Sequence, residues 1–158
     1  MRNNSAIKVT NSCKKYRLNE SLLADLAAKT LNFIRKSGKI DLEIVFLDDD
    51  EIRKLNVRYK GYNKPTDVLS FYIERAEFGE RKPLGEIFIS ADTARRNSRV
   101  FGALLEEEMV RYIIHGILHL FGYDDRKVAQ RSKMSKTEDR ILRFLCRQNT
   151  LSKVLMPR

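Results

Sequence analysis

No apolar run in this chain approaches the roughly 18 residues that a bilayer-spanning helix needs, and residues 1–10 are too polar for a secretory leader. Cysteine occurs only at Cys13 and Cys146. Two isolated thiols lack the regular spacing of a secreted disulfide framework or a zinc knuckle, so both are expected to be free and the location cytoplasmic, in a reducing compartment. There is no internal repeat, no low-complexity linker and no composition break. At 158 residues and 42% hydrophobic, residues 1–158 are expected to form one domain that buries roughly two-thirds or more of its unfolded surface. Histidine is scarce too, and the two copies stand four residues apart.

Those copies lie in the run His115-Gly116-Ile117-Leu118-His119-Leu120-Phe121-Gly122-Tyr123-Asp124-Asp125. Residues four apart share one helical face, so both imidazoles can aim at one point. A glycine three residues on can turn the chain back, and a carboxylate three further on can close the site. His115, His119 and Asp125 therefore read as three ligands of a divalent metal with an open coordination position, where chemistry occurs. Asp124 competes for the third place. The competing reading is structural: His115 bonds a buried carbonyl, and His119 ends the helix at its negative pole.

The formal charge is +10, and +8 of it falls after Asp125, where residues 126–158 carry 10 Lys+Arg against 2 Asp+Glu. A basic stripe through Arg126, Lys127, Arg131, Lys133, Lys136, Arg140, Arg143 and Arg147 beside the histidines points to a polyanion, RNA or DNA, because cations gain affinity by displacing counterions from phosphates. A solvated helix face is the alternative.

Periodicity predicts a short strand at 7–10 and an amphipathic helix capped by Asn19, with Gly38 as its stop. A strand from Asp41 to Leu47 follows, then a short helix through Leu55 whose first turn is Asp48-Asp49-Asp50, read as capping rather than cation binding. Strands are expected at 68–73 and 84–90, joined by a charged hairpin connection over 74–83. Ser90 or Asp92 caps a helix carrying Arg95, Arg96 and Arg99. A strong helix from about Leu104 to Leu120 holds both histidines in its last two turns, and a final helix over about 127–147 buries Met134, Ile141, Leu142 and Leu145. The order argues α+β, a small mixed four-stranded sheet packed against helices, with the metal site at the end of a central helix.

Metalloproteases with this histidine spacing place Glu directly after the first His as general base. Here that position is Gly116, so the peptidase machinery is absent, and the glycine is expected to leave room beside the metal for a bulky substrate. The histidine run resembles the HGxLHLxGYDH motif of the YbeY family of endoribonucleases. Leu55-Asn56, Tyr59 and Lys64-Pro65-Thr66-Asp67-Val68-Leu69-Ser70-Phe71 resemble that family's LN, YR and KPTDVLSF, with weaker agreement at 84–87, Met134 and Glu138. The similarity covers roughly residues 41–142.

The resemblance implies a zincin-like fold, one Zn²⁺, cleavage of single-stranded RNA, maturation of small-subunit ribosomal RNA, ribosome quality control, and small-subunit proteins as partners. The chain departs from the family pattern twice. Asp125 replaces the third His; its oxygen binds zinc, but an anionic ligand acidifies bound water less than a neutral imidazole and makes Mn²⁺ less foreign. Lys60 replaces an Arg, keeping the charge but losing the planar two-pronged contact. Lys60, His115 and His119 are the expected catalytic residues, and Lys60, Arg95, Arg96, Arg99, Arg126, Lys127 and Arg131 the expected RNA contacts. A non-catalytic RNA-binding assembly factor with a vestigial metal site is the rival function.

Overall fold

The computed structural model describes residues 5–34 and 40–157. Gly38, the expected helix stop, lies outside them. The chain runs β1 (Ile7–Asn11), α1 (Glu20–Ile34), β2 (Asp41–Leu47), α2 (Asp49–Lys60), β3 (Val68–Glu77), β4 (Glu80–Ser90), α3 (Ala91–Phe101), α4 (Leu105–Leu120) and α5 (Val128–Cys146), then a 3-10 turn (Leu151–Lys153). The fold is mixed α+β, one four-stranded sheet packed against helices. Strand order is β1-β2-β4-β3, with β1, β2 and β4 parallel and β3 antiparallel on the edge.

Alternation along β2 divides the sheet's two faces. Leu42, Ile44 and Phe46 join the main core with α1, α3, α4 and α5. Leu47 belongs with Ile52 of α2 and Leu69 of β3 to a smaller cluster, against which Val45 packs. Inside the main core Leu23, Leu26, Ile113, Ile114 and Ile117 are fully buried, each worth about 1.5–3 kcal/mol relative to exposure.

The helix starts follow their capping residues. Asn19 Oδ1 accepts from Leu22 N–H at 3.1 Å, and Asp48 Oδ1 from Glu51 N–H at 2.9 Å. Of the two candidates for α3, Ser90 is the cap, its Oγ accepting from Thr93 N–H at 3.0 Å.

Two expectations are corrected. α2 continues past Leu55 to Lys60 and stops at Gly61, which takes the left-handed conformation at φ 75°, so Lys60 sits in the last turn of the helix. The segment 74–83 is not a loose connection. β3 and β4 extend through it in register, and only Phe78 and Gly79 turn, both at positive φ. Backbone pairing needs no apolar side chains, and a two-residue turn with two positive φ values matches the strand twist.

Helix α4 is central, touching α1, α3, α5, β3, β4 and the 3-10 turn. It carries the histidines toward the β3 edge of the sheet. No helix among the described residues is long and apolar enough to cross a membrane. Cys13 is buried, Cys146 is exposed, and both are free thiols.

Candidate metal centre and its surroundings

The two imidazoles stack one above the other on α4, ring centroids 4.6 Å apart and nearly perpendicular. Beyond Leu120 the chain reverses. Gly122 adopts φ 88°, a conformation that side-chain-bearing residues rarely take, and Tyr123 N–H returns to the Leu118 carbonyl at 3.1 Å. That turn brings Asp125 back to the rings. Its Oδ2 stands 3.6 Å from His119 Nε2 and 3.9 Å from His115 Nε2, and the two Nε2 atoms are 3.0 Å apart.

Hydrogen bonding fixes which ring nitrogens face inward. His119 Nδ1 is 3.0 Å from the Tyr123 carbonyl, which can only accept, so Nδ1 carries the hydrogen. His115 Nδ1 is 2.8 Å from Glu138 Oε2 and donates to that carboxylate. Both Nε2 lone pairs then point at one another, an arrangement that repels unless a cation or a proton lies between them. Tetrahedral coordination at 2.0–2.1 Å separates ligand atoms by about 3.3 Å. The three distances here bracket that value, and His115, His119 and Asp125 each offer one atom within 4.8 Å of the others. The donor set fits a divalent ion, and a nitrogen-rich one suits zinc.

The electrostatics agree with this polarity. Burial disfavours a charged His115, but the Glu138 carboxylate beside it more than offsets this and raises its pKa. His119 is pushed down, first by burial and then by the neighbouring His115. Asp124 is no rival ligand: both its oxygens accept from Arg126, which holds its carboxyl at about 2.

Gly116 is where the structure most plainly corrects expectation. It does not open space beside the triad but faces the sheet, where an added Cβ would come within 2.7 Å of Ile87 Cγ2 and 3.1 Å of Ser70 Oγ. Its carbonyl accepts from that same hydroxyl at 3.1 Å. Close helix-on-sheet packing thus requires glycine, and a glutamate would not fit.

The expected RNA contacts divide. Lys60 and Arg126 line a hollow of about 460 Å³ beside His119, and Arg131 lines a cavity of about 690 Å³ beside His115. Lys127 is exposed at the start of α5 and lines neither. Arg95 and Arg96 line a separate hollow with Lys15, Asp92 and the Asp48-Asp49-Asp50 run, where Arg96 is tied to Asp49. Arg99, exposed near the end of α3, borders neither cavity of the triad. Farther along the basic stripe, Arg140 lies over the Phe33 ring of α1.

The residue that position-by-position reading undervalued is Glu138. It had a signal: an acid on the stripe of Met134, Ile141, Leu142 and Leu145, all buried, where carboxylates are rare unless paired.

A family model described as Endoribonuclease YbeY matches residues 8–146. The chain belongs to the YbeY family. It is 46% identical over 110 residues to the Endoribonuclease YbeY of Aquifex aeolicus (strain VF5), covering 70% of each chain. To that of Heliobacterium modesticaldum (strain ATCC 51547 / Ice1) it is 42% identical over 113 residues, covering 65% of this chain and 68% of the relative. The solution structure of TM1509 from Thermotoga maritima superposes with a TM-score of 0.60 at 27% identity, covering 92% of this chain and 95% of that one. The YbeY match spans the converging His115, His119 and Asp125 together with Lys60 and Glu138.

Proposed function

We propose that this YbeY family member is a metal-dependent, single-strand-specific endoribonuclease of zincin-like design, acting in the cytoplasm on small-subunit ribosomal RNA during its maturation and quality control. The observation that carries the reading is the convergence of His115 Nε2, His119 Nε2 and Asp125 Oδ2, with each imidazole anchored through its other nitrogen. Outer partners of this kind orient ligating imidazoles and raise their basicity. His115, His119 and Asp125 would hold a divalent ion, Zn²⁺ by preference, which when bound would supply Lewis acidity at this position.

The chain's own groups do the positioning. Lys60, in the hollow next to His119, offers a compact charge to the scissile phosphate, and its ammonium favours charge that builds on the phosphoryl oxygens. Arg126 and Arg131 border the approach from the start of α5 and attract the RNA backbone, while Arg95 and Arg99 extend that attraction only at longer range. Arg96 and Lys127 contribute less: the first lines a separate hollow, where it pairs with Asp49, and the second lies off both cavities.

Wild type and His119→Ala are to be compared on single-stranded RNA, with metal content measured for both. Loss of metal and of cleavage together in the variant is the expected result. Equal cleavage by the two sinks the catalytic assignment. The rival reading, an RNA-binding assembly factor with a vestigial centre, draws support from Asp125, whose side chain is 44% exposed; equal RNA binding with no cleavage by either protein would favour it.

A further inference from the structure

The triad lies between two hollows of different charge. On the His119 side the cations Lys60 and Arg126 face the carboxylates Asp124 and Asp125, Arg126 being paired with Asp124. On the His115 side the carboxylates Asp67, Glu108 and Glu138 stand with the cations Arg111 and Arg131, Arg111 being paired with Glu138, and Phe101 is also on the wall. Asp125 borders both. Carboxylates outnumber cations only on the second side, so a phosphate at the triad is better placed toward Lys60, and a strand crossing the triad turns something other than phosphate toward the Asp67 and Glu108 wall beside His115.

What the second cavity can take follows from its walls. Its volume, about 690 Å³, falls in the range of about 300–1,000 Å³ typical of small-ligand sites. Phe101, 72% exposed at the end of α3, offers a flat apolar face. Opposed to it in character are acceptors. Glu108 is 5% exposed, and Asp67, just ahead of β3, uses Oδ1 for Val68 N–H at 2.8 Å and the Thr66 hydroxyl at 3.3 Å. A carboxylate has about four lone-pair sites, so Asp67 retains acceptor capacity beyond those two bonds. Flat faces rimmed by N–H donors describe a nucleobase.

We propose that this cavity receives the unpaired nucleobase adjoining the phosphate held at the triad, with Phe101 covering its face and Asp67 accepting from its amino-bearing Watson–Crick edge. The inference rests on the endoribonuclease reading and adds a physical origin for single-strand preference: in a duplex that edge is already bonded to the opposite strand. Guanine fits best, because its N1–H and its amino group are adjacent donors that can converge on Asp67 Oδ2, the oxygen not bonded to Val68 and Thr66, whereas uracil has no amino group and inosine lacks only that group.

The test uses the metal-loaded full chain and single-stranded oligoribonucleotides identical except for guanosine, inosine or uridine beside the cut. Steady-state cleavage and fluorescence-anisotropy binding are both read. Guanosine is expected to exceed inosine and uridine by roughly tenfold in kcat/KM, about the cost of one lost hydrogen bond to a charged group. Phe101→Ala should raise KM with little change in kcat. Asp67→Asn, which keeps an oxygen for the Val68 amide, should collapse the guanosine-over-inosine preference while metal content is retained. If that variant does not fold, the wild-type preference and the Phe101→Ala result decide. Cleavage of all three RNAs at rates within about twofold, or an unchanged KM in Phe101→Ala, overturns the pocket and leaves the nuclease intact. Base-selective binding without cleavage does the reverse.

Discussion

Glu138 Oε2 lies 2.8 Å from His115 Nδ1, so α5 holds the imidazole that α4 supplies. The same carboxylate uses Oε1 for Arg111 at 3.0 Å, and Arg111 also reaches Asp139 at 2.8 Å. A charged network therefore stands behind the imidazole, and the Glu138 carboxylate that orients it is itself held by Arg111.

Glu138→Gln removes the charge while keeping the shape. Zinc affinity, measured by chelator competition, should fall by about 10–100-fold, the usual effect of losing an outer-shell partner. An unchanged affinity would leave Glu138 a purely structural partner of Arg111.

Gly116→Ala exchanges a gain in helix propensity of about 1 kcal/mol for a Cβ 2.7 Å from a buried isoleucine methyl. Overpacking costs about 1–3 kcal/mol, so the substitution should not stabilise as a helical Gly→Ala otherwise would. Denaturant unfolding should give a net loss of up to about 2 kcal/mol, and a more stable variant would contradict the packing argument.

The Asp49 carboxylate titrates low. Burial raises its pKa, but bonds from Arg96, Ser90 and Thr93 outweigh that and leave it below the ordinary value. Its stabilisation is thus fully present above the unfolded pKa of about 3.9 and is lost as pH falls through the lower folded value. Asp49→Asn should cost about 1–2 kcal/mol at neutral pH, a few degrees in Tm. In thermal melts from pH 7 to 2.5 the gap between the two proteins should hold down to about pH 5 and close below about pH 4. A gap that widened on acidification would reverse the assignment.

Lys60 and Arg96 should separate in a salt titration of RNA binding. Lys60→Ala is expected to weaken binding and reduce the log–log salt slope by about one. Arg96→Ala should leave the slope alone and lower Tm, because its partner is Asp49. Equal slopes for Lys60→Ala and wild type would remove Lys60 from the phosphate.

Much of this molecule was written in short stretches of chain. The strand Asp41–Leu47 appeared with its observed bounds, and the caps Asn19, Asp48 and Ser90 were among the residues expected to start helices. The Gly122 reversal between His119 and Asp125 was also legible, because a helical face and a left-handed turn are set by residues within one or two turns of each other. The same locality explains the shortfalls at Lys60 and at 74–83. A polar last helical turn and a charged hairpin carry little apolar periodicity, although the backbone bonds there form regardless.

The rest came from distance along the chain. Residues separated by 23 positions join at Glu138 and His115, and residues 47 positions apart join at Asp49 and Arg96. Gly116 meets Ile87 across the helix–sheet interface, and Asp67 and Phe101 share a wall of the cavity beside His115. Spacing shows which side chains point the same way along one element. Which elements pack face to face is decided by burying the whole core at once, and that packing set a pair of histidines between two hollows, with the excess of carboxylates on the His115 side.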